Sequence, residues 1–132
     1  MSAEGVLTIA SQSGTQETLA RLRTEILSHG LELFAEIDHA KNAAEVSLSL
    51  RPSVVIIFGN AKAGTVLMQA KQSVALDLPL RALVREDEEG KTWISCVDPV
   101  WIVHRHGLPA GIMETAEKMR EGLAALIGKA AG

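Results

Sequence analysis

Ser53-Val54-Val55-Ile56-Ile57-Phe58-Gly59-Asn60-Ala61-Lys62-Ala63-Gly64-Thr65 is the stretch that decides the fold. Its first half is apolar at successive positions, so both faces of a strand would be covered, and it reads as the most central strand of a sheet. Gly59 to Gly64 then reads as a loop, with Gly64 or Thr65 opening a helix. Working backwards, Arg51-Pro52 ends whatever precedes it, because the residue before proline avoids the helical region. Upstream, Asp38 can cap a short alanine-rich helix from His39 to about Leu50, whose small residues predict close packing on a neighbour. Leu31 to Ile37 alternates apolar and polar and predicts a half-exposed strand. Val6 to Ser11 reads as the first strand. Between these two strands, Ser13-Gly14-Thr15-Gln16 fits a capping box. The helix it opens carries Leu19, Leu22, Ile26 and Leu27 at helical spacing and stops at Gly30.

Working forwards, the helix after Thr65 would bury Val66, Leu67, Met68, Ala70, Val74 and Ala75 until Pro79 breaks it. Leu80 to Glu86 and Lys91 to Val97 form a hairpin about Asp87-Glu88-Glu89-Gly90. Asp98-Pro99 caps a short helix that ends at Gly107. A last helix after Pro109 gathers Ile112, Ala116, Met119, Leu123, Leu126 and Ile127 on one side. The tail Ile127 to Gly132 is expected to fray. The order β-α-β-α-β-α-β-β-α-α predicts one α/β domain of the two-layer α+β sandwich type, a small mixed sheet with helices packed on it. It spans residues 1–132, with a core over about 5–108 and an amphipathic helix over about 109–128.

Composition narrows the function classes. The 132 residues are 47% hydrophobic and 22% charged, which is globular and enough for one core. A net charge of -3 argues against a general nucleic-acid binder. No stretch approaches the length of a membrane span, and the first residues lack the basic and apolar regions of a signal peptide. The single cysteine, Cys96, permits no intrachain disulfide and suits the cytoplasm. Alternation with Ile94 places Cys96 on the core side of its strand.

The strings Phe34-Ala35-Glu36-Ile37-Asp38-His39-Ala40, Phe58-Gly59-Asn60 with Gly64-Thr65-Val66-Leu67-Met68, Ala75-Leu76-Asp77-Leu78-Pro79-Leu80-Arg81 and Asp98-Pro99 together resemble the bacterial and archaeal domain-of-unknown-function 302 (DUF302) family. The resemblance runs from the first strand to about Leu108. It implies a compact α/β domain, often a dimer, and supplies no settled activity. Two positions depart from the family pattern: Ala61 stands where many members have proline, and Leu80 where many have cysteine. The second weakens any thiol mechanism.

Four places invite chemistry. At the strand-to-helix loop, Gly59, Asn60, Gly64 and Thr65, with the charge of Lys62, would suit a small anion at free helix amides, or merely turn the chain. Its spacing is neither a P-loop nor a dinucleotide fingerprint. Arg81, beside Pro79, is a further anion-binding candidate, or pairs with Asp77 across the bend. His39, at a helix start, would be a general acid/base with Asp98 if the fold brings them together, and otherwise anchors a loop. His104-Arg105-His106 falls in a last helical turn, where cations are favoured, and its spacing makes no metal site. The expectation is therefore a non-catalytic small-anion-binding or regulatory homodimeric module with no metal or cofactor. The apolar side of the last helix is the reason for the homodimer. The alternative is a small enzyme using His39 and Asp98.

Overall fold

The computed structural model describes residues 4–132. Its elements are β1 (Val6–Ala10), α1 (Thr15–Ser28), β2 (Glu32–Asp38), α2 (His39–Glu45), β3 (Ser53–Gly59), α3 (Ala61–Ala70), a 3-10 helix (Gln72–Asp77), β4 (Leu80–Glu86), β5 (Thr92–Val97), α4 (Pro99–His106) and α5 (Ala110–Ala131). The strands form one sheet in the order β1-β5-β4-β3-β2, and every pairing is antiparallel. The sheet is therefore not mixed, as the β-α-β order implied. The segments containing α2 and α3 return the chain to the neighbouring strand in the opposite direction. β4 is the middle strand, and β3 lies one place toward the β2 edge.

Alternation assigns the two faces. Ile56 and Phe58 on β3, Ala82 and Val84 on β4, and Ile94 and Cys96 on β5 are buried in one cluster with Leu19, Leu22 and Ile26 of α1 and Leu123, Leu126 and Ile127 of α5. A second cluster joins Leu67 of α3, Val74 of the 3-10 helix, Ile102 and Val103 of α4 and Ala116 of α5. The other sheet face, with Val55, Ile57, Leu83 and Trp93, is only half-buried.

Several local expectations change. The Ser13–Gln16 capping box does not form: Gly14 is the N-cap, and Ser13 Oγ accepts from Arg21 Nη2 at 2.7 Å. Leu27 faces solvent. α2 stops at Glu45, with Ser47 taking a left-handed φ of 63° just beyond it, and none of its residues is buried. The helix from Thr65 to Pro79 is two elements, with Lys71 extended between them; Val66, Ala70 and Ala75 are exposed, whereas Leu67 and Val74 are buried. The tail does not fray. Gln12 N donates to Ala131 O at 2.9 Å, Arg21 Nε donates to Ala130 O at 3.0 Å, and Ala130 and Ala131 are buried. The hairpin, the Asp98 cap and the Gly107 stop agree with the sequence reading.

Candidate functional site

The chain leaves the core at Gly59 and enters α3 almost at once. Asn60 is the N-cap. Its Oδ1 accepts from Lys62 N at 2.9 Å and Ala63 N at 3.1 Å, and its carbonyl accepts from Gly64 N at 2.9 Å. The helix therefore begins four residues before Thr65, and the glycine-flanked loop read from the sequence is its first turn. Three of the amides expected to hold an anion are already bonded within the chain.

The cavity beside this turn has a different character. It measures about 430 Å³, within the range of small-molecule sites. Leu31, Phe34 and Phe58 form one wall, Met68, Leu78, Pro79 and Leu80 another, and Met119, Leu123 and Leu126 of α5 the floor. Gly59, Gly64 and Gly122 keep backbone against the space. A Cβ on Gly59 would sit 3.7 Å from Pro79 Cβ and 3.9 Å from Phe34 Cε2, whereas one on Gly122 would meet nothing within 4 Å. No charged side chain lines the cavity; its polar ones are His29, Asn60 and Thr65.

These three have defined chemistry. Asn60 Oδ1 is occupied by two amides, which fixes the NH₂ as the free donor. His29 Nδ1 lies 2.7 Å from Glu25 O, a pure acceptor, so Nδ1 carries a proton and donates there, which leaves Nε2 as the ring atom free to meet a ligand. Thr65 makes no side-chain hydrogen bond among the described residues and can do either.

The other sequence candidates lie elsewhere. Lys62 and Arg81 are exposed and do not line the cavity. Arg81 does not pair with Asp77, which is held instead by Arg105 Nη1 at 2.9 Å and His106 Nε2 at 2.5 Å. His39 and Asp98 do not converge. The register sets them three strands apart across the sheet and five residues apart along it, roughly 14 Å by 16 Å. Asp98 is also committed: Oδ1 accepts from Val100 N at 2.9 Å, and Oδ2 lies 3.3 Å from Arg120 Nε. Cys96 is buried, and burial pushes its thiol up to about 12. Among the described residues there is no cluster of three or more side chains able to hold a metal ion.

The sequence reading missed the contribution of His29, Phe34 and the α5 residues to the cavity, and the convergence of Ser73, Asp77 and His106. None of these sits at a spacing that betrays it. Only the glycines of α3 and α5 hint at space kept open beside a helix.

A family model described as Domain of unknown function DUF302 matches residues 7–126. The chain belongs to the DUF302 family. A crystal structure of an uncharacterized conserved DUF302 protein from Bacillus stearothermophilus is similar throughout, with a TM-score of 0.87 over 97% of this chain and 99% of that one, at 21% identity. That likeness shows the fold. At the sequence level, this DUF302 chain is 44% identical over 104 residues to the fluoride-specific ion channel FluC 1 of Brucella suis, covering 79% of this chain and 41% of that protein. The FluC 1 of Brucella abortus matches at the same identity, with 38% of its length covered. The chain thus spans about two fifths of these curated relatives. Among its described residues no helix is long and apolar enough to cross a membrane.

Proposed function

We propose that this DUF302 domain is a small-molecule-binding module whose cavity binds its ligand without transforming it, and that this ligand has an apolar body and one hydrogen-bond-accepting end, such as a carbonyl or carboxylate. The observation that carries this reading is the 430 Å³ cavity with apolar walls and the free carboxamide NH₂ of Asn60 at its edge. Apolar contact supplies affinity in such sites, and a few polar groups set orientation. The anion expected from the sequence survives only as the head of a larger ligand. A bare inorganic anion, fluoride included, would meet apolar walls without a cation to offset its desolvation.

The test is a thermal-shift series with octanoate, octanal, octanol and octane. Stabilisation is expected for octanoate or octanal, about 2.7 kcal/mol at a hundredfold excess over Kd. Asn60→Asp keeps the N-cap but replaces the donor, so it should weaken binding without loosening the fold. Gly122→Leu should fill the space and abolish binding, while Lys62→Ala should leave it intact. Equal responses from all four proteins, or none from wild type, would sink the reading.

A homodimer is part of the proposal, on a changed ground. The apolar side of α5 is consumed inside the chain, as Leu123, Leu126 and Ile127 are buried. The half-buried outer sheet face, with Val55, Ile57 and Leu83, is the surface a second copy would cover. Sedimentation at micromolar concentration should give twice the protomer mass for wild type and the protomer mass for Leu83→Glu. A wild-type monomer removes the dimer.

A further inference from the structure

A second cluster stands apart from the cavity, where the 3-10 helix meets the end of α4. Ser73 Oγ lies 3.0 Å from His106 Nδ1, and His106 Nε2 lies 2.5 Å from Asp77 Oδ2. Arg105 Nη1 holds both oxygens of Asp77 at 2.9 Å. The His106 and Asp77 side chains are only 9% and 15% exposed, while Ser73 faces solvent. None of the three lines the cavity.

The hydrogen bonds fix the proton positions. Burial raises the Asp77 carboxyl, but the His106 hydrogen bond and the Arg105 charge outweigh it and hold it below the ordinary carboxylate value. As a carboxylate Asp77 only accepts, so His106 Nε2 donates to it. In the neutral imidazole Nδ1 is then the acceptor, and the Ser73 hydroxyl donates. A hydroxyl, an imidazole acceptor and an orienting carboxylate in series form the arrangement that activates a serine, with the ring nitrogens in exchanged roles.

The geometry points to Ser73 as a nucleophile toward small acyl donors, with His106 as its general base and Asp77 as the positioning residue. Ser73 Oγ bonds to the acyl carbon while its proton passes to His106 Nδ1. The bond from the acyl carbon to the leaving alcohol oxygen breaks, and His106 returns the proton to that oxygen. Water oxygen then bonds to the acyl carbon while Nδ1 takes its proton, the bond from the acyl carbon to Ser73 Oγ breaks, and Nδ1 returns the proton to Oγ, so the net change is ester plus water to acid plus alcohol. The exposed hydroxyl, without a cavity of its own, suits an unhindered ester rather than a bulky one.

The probe is p-nitrophenyl acetate with the full chain. A burst of about one p-nitrophenolate per chain is expected, with the acetyl group mapped to Ser73 by peptide mass. Ser73→Ala should abolish that acetylation, and, because Ser73 is exposed, it should do so in a folded protein. His106→Gln should slow it about 100-fold or more. The wild-type acetylation rate should rise with pH and then level off once the general base is deprotonated, a readout that needs no variant. Acetylation spread over lysines with none at Ser73 overturns the proposal. So does a wild-type rate that climbs in proportion to hydroxide, or a folded His106→Gln that keeps the full rate. These outcomes leave the cavity reading unaffected, since octanoate binding is measured separately.

Discussion

Cys96 shows how far a single residue can be read. Its alternation with Ile94 placed it on the core face, and the structure buries both. Burial favours the neutral thiol and drives its titration up to about 12. Native protein at pH 8 should therefore give no reaction with an aromatic disulfide reagent, and one thiol should appear on unfolding in guanidinium. A fast native reaction would contradict the packing. Asp77 reads the other way. Its carboxyl ionises more readily folded than unfolded, so its contribution is present above the ordinary carboxylate range near pH 4 and fades as pH falls through and below it. Asp77→Asn should thus lower the urea midpoint at pH 7 and change it little near pH 2. An equal loss at both pH values would show that charge is not the cause. The partners of Asp77 were hidden from the sequence. Arg81 is four residues away and was the obvious choice, whereas Arg105 and His106 reach it only because α4 packs against the 3-10 helix.

Several element boundaries are legible from a cap or stop with a strong chemical cause. Asp38 and Asp98 accept from backbone amides of their helices as expected, and Gly30 and Gly107 take positive φ at helix ends. The start of α3 differs from the reading at Gly64 or Thr65 because Asn60, an equally good cap, holds the amides of Lys62 and Ala63 and begins the helix at Ala61. Asn60→Ala should cost about 1 kcal/mol in chemical denaturation, by leaving the amides of Lys62 and Ala63 without their acceptor. No loss would mean the first turn of α3 does not depend on its cap. The end of α5 is ordered for a reason that lies outside its own sequence. Ala130 and Ala131 are small and carry little signal, but they fill the contact with α1, and the main chain there is tied to Gln12 and Arg21. Such long-range ties leave no mark in local composition.

At the scale of the molecule, the α/β class and element order followed from hydrophobic periodicity, while strand pairing did not. Antiparallel neighbours and a β4 centre are decided by which strands share a ladder, and apolar runs alone do not encode that. The cavity is likewise a property of assembly: residues from β2, β3, α3, the Pro79 bend and α5 meet there across some ninety positions of chain. Its methionines offer a direct reporter. All three of Met68, Met113 and Met119 pack against the second cluster, but only Met68 and Met119 line the cavity. A titration of methyl-labelled methionine with octanoate, followed by carbon–proton correlation NMR, should move the Met68 and Met119 signals together and leave Met113 in place. Unchanged spectra at millimolar octanoate, or a shift confined to Met113, would contradict a ligand in the cavity.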